Sequence, residues 1–179
     1  MSRIFTSLAV ANTIVLVVAF ATGLGADPWV ADPRMGFESG RGWHIVLGLL
    51  AALVTLLVHC IVFSYFLGTG RWVKETAEAY SLPAAMYERT RRSKFRAFPV
   101  ALVAMLVVIG AAALGAAADT GRLSSAFHLG GACAAVLVNL AAYPVELGAI
   151  RANMQLLGEV MEHVERIRAA HGLEPVSTA

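Results

Sequence analysis

The sequence predicts an all-α protein, an integral membrane four-helix bundle with a cytoplasmic helical extension of the last helix. Three observations carry that expectation. Hydrophobic residues make up 58% of the 179 positions and charged residues only 15%, against roughly 45–50% and about 25% in soluble domains. Mean hydropathy is +0.69, and a chain this short leaves too much surface exposed to hide such apolar content from water. Four segments, about 4–24, 43–67, 97–118 and 123–147, are long enough to cross a bilayer, which takes roughly 20 apolar residues in a helix. The chain 1–179 reads as a single membrane domain. This composition excludes a soluble enzyme, a nucleic-acid module and a disordered tail, and a net charge of +2 gives no reason for a polyanionic partner.

The first span follows Arg3 and resembles a signal peptide in that respect, but its apolar run exceeds the roughly 7–15 residues of a signal core, so it reads as a retained anchor. Asp27–Gly42 carries Asp-Pro pairs and glycines and reads as turns. After the second span, Gly68 and Gly70 end the helix, or Gly-Thr-Gly-Arg forms an anion-binding nest. The segment 69–96 is then a helical stretch broken at Pro83. It holds Arg71, Lys74, Arg89, Arg91, Arg92, Lys94 and Arg96, whereas the opposite side holds Arg34, Arg41 and Arg122. The positive-inside rule therefore puts both termini and the basic segment in the cytoplasm, in a multi-pass protein of an inner or plasma membrane. The cluster from Arg89 to Arg96 is a topology signal or a contact for anionic headgroups. Spans three and four, joined through Asp119-Thr120-Gly121, form an antiparallel hairpin. Beyond Pro144, which offers a kink, helix 148–170 shows an apolar stripe of Ile150, Met154, Leu157, Met161, Val164 and Ile167. That stripe must pack against Trp72–Tyr87 or a second copy of the chain.

Ionisable groups inside a span are costly and as a rule face the bundle interior, so the histidines are the candidate functional residues. His44 opens the second span on the outer side, and His128 enters the fourth from the same side. Two imidazoles at one depth can hold a haem iron between them. Gly48, and Gly130 with Gly131, would let a flat macrocycle approach the backbone, although small residues also serve close helix packing without a cofactor. The plain alternatives are an interfacial His44 touching headgroups and a His128 at a capped helix start. His59 lies 15 residues beyond His44, roughly 22 Å along the helix and roughly 60° around it, so both can face one interior.

In this spacing the second span, with part of the fourth, resembles the b-type cytochromes of respiratory membranes, where one helix carries two histidines serving two stacked haems. The resemblance implies haem b held by His44 and His128, with Gly48 and Gly131 beside it. The sequence departs from the family at the second level, where Asn139 and Tyr143 stand in place of a further histidine. His59 then pairs with Met105 as a metal ligand, or hydrogen-bonds Asn139 across the helices. A metal site without haem is disfavoured, because Cys60 and Cys133 do not converge with the histidines at one level.

Two function classes follow. The first is a membrane haem-binding electron-transfer protein or subunit, working with a quinone or a redox partner subunit. The second is a non-catalytic four-helix structural or assembly subunit of a larger membrane complex, using the small residues Ala111–Ala118 for contact. Either implies a homo- or hetero-oligomer in the lipid bilayer and no nucleic acid. No catalytic motif is present.

Overall fold

The computed structural model describes residues 1–25 and 40–176. It contains α1 (Ser2–Leu24), α2 (Gly40–Ala79), α3 (Ala84–Asp119) and α4 (Ser125–Ala170). Each includes a segment long and apolar enough to cross a membrane. The turn-rich reading of Asp27–Gly42 falls outside the described residues except for Gly40–Gly42, which begin α2. The helices pack in a ring in chain order, with α4 closing against α1 and α2 meeting α4 across the diagonal. One end of the bundle carries the α3–α4 turn (the loop end); the other carries the α2–α3 turn and most of the cations (the basic end).

Burial separates the residues in the reverse of a soluble protein. Asn12, Thr55, His59, Asn139, Glu146 and Asn153 are fully buried, while Ile14, Leu49, Leu106 and Leu137 are 57–66% exposed. In water, such large aliphatic side chains belong inside and such polar ones outside. A surrounding apolar solvent removes the cost of exposing the first group and raises the cost of exposing the second.

The buried positions recur along the chain. Phe5, Ala9, Asn12, Leu16 and Ala19 of α1 correspond to Ala97, Ala101, Ala104, Val108 and Ala111 of α3, a constant offset of 92 residues (Phe5 to Ala97). Ala51, Thr55, Val58, His59, Val62 and Phe66 of α2 correspond to Ala135, Asn139, Ala142, Tyr143, Glu146 and Ile150 of α4, an offset of 84 (Ala51 to Ala135). His44 and His128 are separated by the same 84 positions. The bundle is therefore two structurally equivalent helical hairpins facing each other, the first with the longer connection.

Three sequence expectations are corrected at the basic end. Gly68 and Gly70 do not end α2, which continues to Ala79. An interior glycine costs only about 1 kcal/mol, and here Val73 beyond them is fully buried with Leu156 and Val160 of α4. The extension also belongs to three helices rather than to the last alone, since α2 and α3 run past the apolar segments as far as Ala79 and Ala84. Finally, the seam of α4 passes through Asn153, Leu156, Val160 and Val164, leaving Met154 exposed. Asn153 breaks an apolar-only pattern, yet it is buried because it accepts from Thr90 and donates to Thr69 (3.0 Å) and Tyr65 (3.2 Å). The partner of the stripe is the α2–α3 region, through Val73, Leu82 and Met86.

Polar closures hold the ends. Gly121, at φ +71°, takes the left-handed conformation that ends α3, and Ser124 caps α4 by accepting from the Ala126 amide (3.3 Å). Arg41 at the start of α2 donates from Nε to Asp119 at the end of α3 (2.7 Å). At the basic end Arg89 pairs with Glu159, and its hydrogen bond holds the Glu159 carboxyl below the usual carboxylate range. This pairing stays intact in mild acid and is lost only as pH falls through that lowered value.

Leu156→Ala is expected to destabilise the detergent-solubilised protein by about 2–5 kcal/mol, as a truncated buried leucine does. Met154→Ala should stay within about 0.5 kcal/mol. Thermal unfolding would measure both, and equal losses would contradict the seam described here.

Candidate functional site

The loop end brings His44 and His128 together. His44 on α2 and His128 on α4 point across the bundle diagonal with their Nε2 atoms 3.4 Å apart. Their rings lie 5.7 Å apart at 62°. Each Nδ1 reaches a backbone carbonyl of the neighbouring helix, Ala19 O for His44 (3.0 Å) and Ala111 O for His128 (3.1 Å). A carbonyl only accepts, so each Nδ1 carries a proton and Nε2 is the ring nitrogen turned inward. Two facing lone pairs repel unless a proton or a metal sits between them. Anchoring one ring nitrogen on a carbonyl while the other is free is also how metal-bound histidines are oriented.

Glycines complete each holder. A Cβ on Gly23 would stand 2.7 Å from His44 Cε1, and one on Gly115 would stand 2.9 Å from His128 Cε1. The two histidines thus rest in equivalent cradles, Ala19 with Gly23 on α1 and Ala111 with Gly115 on α3. The glycines expected to do this work are placed otherwise. Gly131 packs against Leu114 and Ala111, and Gly48 has open space where a side chain would be. Gly23 and Gly115 were not singled out from the sequence, although the shared spacing Ala-x-x-x-Gly on the first and third spans was a signal within reach.

The loop end offers two inward ring nitrogens as donors. No cluster of three or more His, Cys, Asp or Glu side chains exists among the described residues, so a bare ion would lack the four protein ligands of a structural site. Haem brings its own equatorial nitrogens and asks the protein only for axial ligands. The 3.4 Å gap is shorter than the roughly 4 Å spanned by two collinear metal–imidazole bonds of about 2.0 Å, so a metal held there would require the rings to part by about 0.6 Å.

His59 occupies a different setting, about 22 Å further along α2. Its Nδ1 lies 2.7 Å from Glu146 Oε1 and its Nε2 lies 2.9 Å from Asn139 Oδ1. Asn139 donates its own amide to Ala135 O (2.8 Å), which fixes its oxygen toward the ring. Nε2 therefore donates, and Nδ1 shares one further proton with Glu146, leaving the pair neutral as a unit. Both nitrogens are engaged, so none is free for a His59/Met105 pair. His59 also stacks on Tyr143 at 5.8 Å and 17°. Tyr143 accepts from Asn12, whose amide also donates to Thr55 (3.0 Å).

Glu146 Oε2 is fully enclosed and accepts no hydrogen bond among the described residues. Glu146 is the one acidic residue within the four apolar segments, which hold no Lys or Arg, and that is the signal by which the sequence marks it. Removing one partner of a buried ion pair costs about 3–5 kcal/mol. Glu146→Ala is expected to lower stability by that order in thermal unfolding, whereas Glu146→Gln, which keeps an acceptor for Nδ1, should cost clearly less. A Glu146→Ala protein as stable as the parent would overturn the pairing.

Compared with known proteins, the chain matches no family model, no curated protein and no solved structure, so its functional reading rests on the geometry above.

Proposed function

We propose that the chain is a multi-pass membrane protein that binds one haem b between His44 and His128 and carries electrons. The observation that supports this most is the pair of inward Nε2 atoms, each held by an Nδ1–carbonyl bond to its neighbouring helix. Polar burial with outward leucines supports a lipid surrounding. The excess of Lys and Arg at the basic end supports placing that end, with both termini, in the cytoplasm of an inner or plasma membrane. The haem would then lie toward the extracytoplasmic surface.

Bound haem supplies a one-electron carrier whose potential follows its ligands and their hydrogen bonds. The Ala19 and Ala111 carbonyls orient both imidazoles and raise their basicity. Gly23 and Gly115 leave each ring its place. The apolar cluster below, including Leu16, Ala51, Val108 and Ala135, separates the site from the His59–Glu146 pair. A quinone or a redox partner subunit would exchange electrons at the loop end.

Purified protein is expected to show a Soret band with one haem per chain. His44→Ala and His128→Ala should each abolish it, and Gly115→Ala should weaken it by displacing His128. His59→Ala should keep it. A colourless preparation after haem loading would reject this reading and leave the assembly-subunit alternative.

A further inference from the structure

The basic end contains a cavity of about 270 Å³ between α2 and α3. Its lining includes Phe66 and Leu67, and four cations, Arg71 and Lys74 from α2 with Arg91 and Lys94 from α3. No acidic residue lines it. Arg71, Lys74 and Arg91 pair with Glu75 (2.7 Å), Glu78 (3.8 Å) and Glu88 (2.9 Å) on their own helices. Such exposed same-helix pairs contribute little and exchange readily. Lys94 lies over the Phe98 ring at 5.1 Å and forms no ion pair among the described residues.

Depth identifies the solvent layer these cations occupy. The second apolar segment ends near Leu67 and the third begins near Ala97. Arg71 and Lys94 therefore stand about 4–6 Å beyond the apolar core, and Lys74 and Arg91 about 9–10 Å. The headgroup layer is about 5–8 Å thick on each side of a bilayer. On the membrane reading of the four helices, the first two cations would stand at the level of lipid phosphates and the other two at the water edge. Leu67 is 54% exposed on the apolar side of the same cavity, which suits a ligand that is anionic at one end and hydrocarbon at the other.

We propose that this cavity binds the phosphate of an anionic glycerophospholipid, with an acyl chain running over Phe66 and along Leu67. The proposal depends on the membrane reading of the four helices and not on haem, so its outcome is independent of the Soret measurement. The shared chemistry is a phosphate, and a free phosphate is the competing source.

The test uses the full chain in neutral detergent, with bound lipid counted by native mass spectrometry. Phosphatidylglycerol is expected to be retained in preference to phosphatidylcholine. Arg91→Gln with Lys94→Gln removes two direct charge-assisted contacts to the phosphate and should weaken retention by about tenfold or more. Arg92→Gln with Arg96→Gln removes the same charge from positions off the cavity and should change it less than about threefold. The swap Arg91→Lys with Lys94→Arg should retain the lipid. Equal losses in the two neutralised pairs would overturn the proposal in favour of diffuse attraction. Absence of a headgroup preference would overturn it as well. Displacement by inorganic phosphate at concentrations matching the lipid would overturn the lipid as the source.

Discussion

Two hydrogen bonds, from His44 Nδ1 to the Ala19 carbonyl and from His128 Nδ1 to the Ala111 carbonyl, determine what the loop end can do. They commit a proton of each ring to the periphery and turn both Nε2 atoms toward each other. A pair held the other way round, with Nε2 protonated, would be a structural polar contact and nothing more. Because each carbonyl belongs to a helix that also carries the glycine beneath the ring, orientation and clearance arise from the same four-residue spacing.

The repeated hairpin explains why the arrangement is so even. Equivalent residues of α2 and α4 meet across the bundle, and at the loop end that brings histidine to histidine. The same offset brings His59 to Tyr143 deeper in the bundle, where the halves have diverged. Tyrosine offers no second imidazole there. Glu146 and Asn139 have instead taken up both nitrogens of His59. The result is one symmetric pair of facing imidazoles and one asymmetric polar clasp between α2 and α4, in a setting where unpaired polar groups are costly.

Much of this was legible in the residues. Length and apolarity of the four segments place the helices, and Pro83 marks the α2–α3 break. The depth of His44 and His128 suggests that they meet, because entry from one side at similar register follows from counting alone. The cradle was harder to read. Gly48 and Gly131 are near the histidines in sequence, but helix neighbours three or four residues along lie above or below a ring rather than beneath it. The glycines that touch the rings come from α1 and α3, and assigning them requires the packing of the ring of helices. Glu146 was hidden by its position near a segment end, and the seam of α4 by Asn153, a polar residue that a purely apolar stripe passes over. In both cases the determining information is a partner on another helix.

The claim on which the functional reading stands is the tautomer of the two facing histidines. Nitrogen-15 spectra of histidine-labelled protein, free of cofactor and in detergent at mildly alkaline pH, report it directly, with His44→Ala and His128→Ala spectra giving the assignment. The expected result is a protonated Nδ1 and a bare Nε2 for both rings. A protonated Nε2 with a bare Nδ1 at either residue would contradict the carbonyl anchoring and remove the basis for an axial ligand pair.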